Sequence, residues 1–253
     1  MDFGAVNDAH NFLGQSEYLS LWIPKVDAYL GERGLPNKEV YPEFLPAPRP
    51  SRTNYASIDD IAAAPFIGRT HPEFYQKFLS TPDRPRALVI SPKAASLQSG
   101  GFDPVARGLA DCATHGGPCS LYAYDDDVVW TGPPAGQTAR IDGAPIIGKA
   151  AKAGMAAQVQ QFVALTSSCA PLPLPAVTVA SPPAHGAAEV AQVEDFPEFG
   201  SQSPLSACNA HKIPMLRISY KGAPDFTGVD FFAITLTEAN KPPQTIKYAV
   251  HVN

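Results

Sequence analysis

Charge is scarce in this chain, and that scarcity narrows the field first. Only 17% of the 253 residues are Asp, Glu, Lys or Arg, and the formal net charge is -5. No Lys/Arg run or basic stripe is present, so nucleic acid is a poor partner for it. Long apolar runs are missing too; none reaches the roughly 18 residues that a membrane-spanning helix requires. The first 20 residues contain Asp2, Asp8, His10 and Glu17 and lack the basic start and apolar centre of a signal peptide. Any export signal would therefore have to lie upstream of Met1. The strand-turn-helix elbow G-x-S-x-G, which presents a serine nucleophile, is absent. Ser99, in LQSGG, lacks the first glycine and the flanking strand of that motif. No internal repeat at a fixed period is visible.

Proline, by contrast, is abundant: the chain has 27. That argues against a helical bundle and suits short strands, turns and linkers. The length allows one large domain or two to three small ones. Four cysteines are present, Cys112, Cys119, Cys169 and Cys208. An even count in a proline-rich chain favours two disulfides and an oxidising compartment. Of the three possible pairings, sequence neighbourhood favours 112 with 119 and 169 with 208.

The chain reads as an α+β multi-module protein. In residues 1–36, SEYLSLWIPKVDAYLGERGLP has the apolar spacing of a helix through Tyr18, Leu21, Trp22, Val26, Tyr29 and Leu30, with Gly34 as its cap. A helix this short cannot bury its apolar face alone. A proline-rich linker occupies 37–52. Residues 53–131 form a small α+β module. IDDIAAAPF and HPEFYQKFLSTP read as short helices, RALVIS as a strand, and FDPVARGLADCATHGG as a helix. CSLYAY and VVW follow as strands joined by Asp125-Asp126-Asp127, which gives a β-α-β-β order. Residues 132–168 are a linker or helix. In 169–253, AVTVA, AAEVAQV, MLRISY, DFFAITLTE and TIKYAVHV alternate with turn signals as in an antiparallel β-sandwich.

Each candidate site has two readings. His10, in NDAHNFLG, is either a loop general base or a surface histidine. Cys112, His115 and Cys119 read as a disulfide closing a helix C-terminus, with a three-ligand zinc set as the alternative. The Asp125–Asp127 triplet reads as a solvated hairpin turn; a calcium loop needs further spaced oxygen ligands that do not follow. Pro224 and Gly228 build a corner in GAPDFTGVDFF, and Phe226, Phe231 or Phe232 fill the sandwich. His185 reads as a turn residue before Gly186, which can take a positive φ. His211 and His251 are expected to be structural. No cofactor and no metal are implied.

Three resemblances extend this reading. DAHNFLG followed by WIPKVDAYLGERGLP resembles the last catalytic loop and closing helix of an α/β-hydrolase of the dienelactone-hydrolase type. That resemblance implies His10 as the triad histidine and an ester or lactone substrate. The family's serine, aspartate and most of its sheet precede this histidine, so the chain is expected to be the C-terminal part of a longer exported protein and inactive alone. NYASIDDIAAAPF, FYQKFL, PRALVISP and CATHGGPCSLYAYDDDVVW are similar to a small two-cysteine module of bacterial secreted or periplasmic proteins. ISYKGAPDFTGVDFFAITLTE is similar to the strand pair of bacterial Ig-like or cadherin-like β-sandwiches, which implies an extracytoplasmic location. The other functional expectation is a non-catalytic extracytoplasmic protein that binds a protein or cell-envelope partner.

Overall fold

The computed structural model describes residues 16–34 and 47–253, leaving aside the side chains of residues 16–20. The chain divides into two compact units, residues 1–52 with 56–130, and residues 53–55 with 131–253. Among the described residues no helix is long and apolar enough to cross a membrane.

In the first unit the expected N-terminal helix forms as α1, Ser16–Glu32, and Gly34 follows at φ +74°. Leu21, Val26 and Tyr29 on this helix are exposed. IDDIAAAPF, expected as a helix, makes only a three-residue 3-10 turn, Ile61–Ala63. Asp60 caps it by accepting from the Ala63 N–H at 3.2 Å, but Pro65 has no N–H to extend it. Next comes α2, Pro72–Ser80, which opens on proline and buries Tyr75 and Phe78. Strand β1, Arg86–Ile90, is buried along its whole length. Strand β2, Ala95–Ser99, has no sequence signal, since ASLQS lacks β-branched or aromatic residues. In α3, Pro104–Thr114, the Asp103 carboxylate accepts from the Ala106 N–H at 2.8 Å. Strands β3, Ser120–Tyr124, and β4, Asp127–Val128, complete an antiparallel sheet ordered β2-β1-β3-β4. The order is thus β-β-α-β-β rather than β-α-β-β. Gly108 lets α3 seat on β1: a Cβ there would lie 2.9 Å from Val89 Cγ2.

The second unit holds eight strands: β5 Thr138–Ile141, β6 Ala144–Ala151, β7 Ala156–Phe162, β8 Ala176–Ser181, β9 Gly186–Asp195, β10 Ile213–Gly222, β11 Gly228–Thr237 and β12 Gln244–Val252. They form one sheet ordered β7-β10-β9 and another ordered β5-β6-β12-β11-β8. All neighbours are antiparallel except β6 and β12, which run parallel. Val159, Ile218 and Tyr220 of the first sheet share one core with Phe232, Ile234, Tyr248 and Val250 of the second. The five strands expected in 169–253 are all present. The linker or helix expected at 132–168 is not: that stretch supplies β5, β6 and β7. Its alanines suggest helix, but pairing with β12 and β10 decides the conformation, because strand propensity is largely a matter of neighbours.

Two backbone details bear on this unit. Gly186 is not at positive φ. Glycine is needed there because a Cβ would meet the Lys221 carbonyl oxygen at 2.5 Å. Asn54 lies in the second unit. Its side-chain amide donates to the Phe231 carbonyl at 2.9 Å and accepts from the Phe231 N–H at 2.8 Å. It thereby does for β11 what a neighbouring strand would do.

Candidate functional site

A groove of about 540 Å³ lies in the first unit, between the α2 region and the β1–β2 turn. One wall is the loop leading into α2. There the Ile67 carbonyl accepts from the His71 N–H at 2.8 Å and the Ala64 carbonyl accepts from the Gly68 N–H at 2.9 Å. This coiling is tight enough that a Cβ on Gly68 would fall 2.1 Å from the Ile61 carbonyl oxygen. It also holds Phe66 at φ +69°, a conformation that non-glycine residues rarely adopt. His71 Nδ1 lies 3.0 Å from the Thr70 hydroxyl.

The opposite wall is the turn Ser91-Pro92-Lys93-Ala94. Ser91 is 1% exposed. Its hydroxyl accepts from the N–H groups of Lys93 and Ala94 at 3.2 and 2.9 Å and donates to the Ala94 carbonyl at 3.1 Å. A hydroxyl so committed holds the turn and is not offered to a substrate. The floor is apolar, from Phe66, Ile67, Phe74 and Ala95. Lys77 on α2 and Lys93 on the turn are exposed cations on the lining, with Glu73 as its one acid.

The C-terminal end of α2 is held by a buried cation. Arg86 is 2% exposed. Its guanidinium meets the carbonyls of Leu79 and Thr81 at 2.7 and 2.8 Å and Asp126 at 2.8 Å, and its ring-facing side lies over Phe78 at 4.6 Å. Burial, then the neighbouring Arg84, pull its pKa below the ordinary guanidinium value, and Asp126 opposes them. The clamp ties the C-terminal end of α2 to the β3–β4 turn. The Tyr75 hydroxyl adds a tie by donating to the Ile58 carbonyl at 2.7 Å.

Asp125, Asp126 and Asp127 form that turn, with Asp125 at φ +51°. They face arginines: Arg49 on Asp125 and Asp127, and Arg84 and Arg86 on Asp126. Sequence reading found the turn but missed the arginines, which come from distant positions. Cys112–Cys119 and Cys169–Cys208 are disulfides, and no described cysteine is free. The first bond removes both thiolates of the zinc alternative and leaves His115 exposed at the end of α3. Among the described residues no group of three or more His, Cys, Asp or Glu side chains is placed to hold a metal ion. His10 lies outside the described residues. Ser99 ends β2 opposite Arg86.

In the second unit His185 stacks on Phe226 with ring centroids 4.1 Å apart. His211 ends the 3-10 turn Ser206–Ala210. His251 Nε2 lies 2.9 Å from the Pro133 carbonyl oxygen. A smaller recess of about 280 Å³ is lined by Gln161, Phe162, Val163, Pro197, Glu198 and Phe199.

No family model matches the chain, and no curated protein matches it. A solved structure titled "Solution Structure of Amebosin" aligns at 11% identity over 42% of this chain and 89% of that one, with a TM-score of 0.25. That likeness is too weak to carry a fold or a function.

Proposed function

We propose that this chain acts outside the cytoplasm as a non-catalytic recognition protein, an Ig-like β-sandwich joined to a small disulfide-bearing α+β module. The strand order carries the reading. Lettered A′ to G, strands β6 to β12 fall as B-E-D in one sheet and A′-G-F-C in the other, the split that Ig-like sandwiches use. The two disulfides favour an oxidising compartment, and the groove of the first unit offers a recognition surface for a protein or cell-envelope ligand. An aryl-ester assay on the purified chain tests the non-catalytic claim, with no turnover above buffer expected. Turnover abolished by His10→Ala overturns it.

One observation favours a second reading. Helix α1 forms, as a hydrolase closing helix requires, and leaves Leu21, Val26 and Tyr29 exposed. In this reading the chain is the C-terminal portion of an exported ester or lactone hydrolase of the dienelactone-hydrolase type. His10 is its triad histidine, and the serine lies upstream of Met1. The intact mass of the native protein in its source separates the two: a mass well above 26.9 kDa, with G-x-S-x-G in the added sequence, favours the hydrolase.

A further inference from the structure

We infer that the groove between α2 and the β1–β2 turn binds a small amphiphilic anion, an aromatic or short-chain aliphatic carboxylate. The inference rests on the recognition reading and names the ligand class of that site.

The volume comes first. At about 540 Å³ the groove lies within the range of small-molecule sites, roughly 300–1,000 Å³. Its floor chemistry comes next. Phe66, Ile67, Phe74 and Ala95 give a ring or an alkyl chain apolar surface, with Thr70, His71 and Glu73 as polar side chains beside them. The rim completes the match. Lys77 and Lys93 stand on separate elements that both line the groove, and only Glu73 opposes them. In a chain of net charge -5 this is a local reversal of sign, and it favours an anionic head over a cationic one. Two lysines are too few for a nucleic-acid backbone, which takes several phosphate contacts at once.

The walls are built to keep this shape. The Ser91 hydroxyl fixes the turn that carries Lys93, and the Arg86 clamp and the Tyr75 hydroxyl hold α2, which carries Lys77 and Phe74. Phe66 sits in the groove at φ +69°. A non-glycine residue rarely adopts that conformation, and such outliers cluster at ligand sites.

The test uses the full chain with its disulfides intact. Para-fluorophenylacetate is titrated and followed by fluorine NMR of the ligand and by backbone amide shifts of the protein. Saturable binding with Kd of about 1 mM or tighter is expected, with the largest shifts at Phe74, Lys93 and Ala94. The neutral analogue para-fluorobenzyl alcohol and the Lys77→Gln/Lys93→Gln double variant should each bind about tenfold more weakly. Both lysines are exposed, and an unchanged amide spectrum elsewhere checks that the variant folds. Equal binding of the alcohol, undiminished binding by the double variant, or no saturation by about 10 mM overturns the proposal. If the groove fails while the chain stays inert toward aryl esters, the ligand class falls and the recognition reading stands. His10-dependent ester turnover instead removes the recognition reading, whatever the groove binds.

Discussion

A single carboxylate, that of Asp230, answers three donors at once. It is fully buried and accepts from the N–H groups of Ala184 and His185 at 2.9 and 2.8 Å and from the Tyr220 hydroxyl at 3.0 Å. Asp230→Ala removes the acceptor of all three, the buried Tyr220 hydroxyl among them, and should cost about 3 kcal/mol. Urea denaturation checks this, and an unchanged midpoint would sink the assignment. Two buried tyrosines give the converse pair. Tyr248 has a buried hydroxyl with no hydrogen-bond partner, so Tyr248→Phe should leave stability unchanged or raise it by up to about 1 kcal/mol. Tyr220→Phe should lower it by about 1 kcal/mol, because it removes a donor from the Asp230 carboxylate. If the two variants shift the midpoint alike, the hydroxyls do not differ as described. None of this was legible from the residues alone. DFTGVDFF advertised a corner and aromatic filling, and both are found, but a lone aspartate in a strand does not reveal that the β8–β9 turn folds back onto it. Arg86 hid in the same way, at the head of an apolar RALVI whose partner Asp126 lies 40 positions on.

Legibility at the scale of elements followed composition. Strands β8 to β12 carry β-branched or aromatic residues between clear turn signals, and α2 and α3 open on His-Pro and Asp-Pro; these could be read. β2 has no such residue, and β5 and β7 lie in a stretch rich in Ala, Gly and Gln that suggests a helix or connector, so their neighbours decide them. The disulfides were readable as pairs because each closes a local stretch. Their contributions should differ with loop length. Cys169–Cys208 spans 39 positions and Cys112–Cys119 spans 7. Chain-entropy reasoning then gives the longer loop about 4 kcal/mol and the shorter about 2. Paired Cys→Ser variants, compared by urea denaturation, should rank in that order; the reverse ranking would mean that loop closure does not govern their effect.

For the molecule as a whole, alkaline pH is the sharpest probe, because both units keep buried phenols. Burial pushes Tyr75 up to about 12 in the first unit. In the second, burial alone raises Tyr248, and burial followed by the Asp230 charge raises Tyr220. A phenol raised in the folded state favours folding fully below its unfolded pKa of about 10, and that contribution is lost as pH climbs through the folded value. Both units should therefore hold to about pH 10 and unfold above it. Phenolate absorbance should show these tyrosines ionising only as the circular dichroism collapses. Their titration near pH 10 with the native spectrum intact would contradict the burial.

The backbone crosses between the two units three times, at 52/53, 55/56 and 130/131. A gene cut at one codon therefore cannot deliver the sandwich whole. A clone starting at residue 131 leaves out Asn54, and with it the amide that answers both backbone groups of Phe231. Anyone grafting this sandwich onto another protein must carry a tripeptide from far upstream as well.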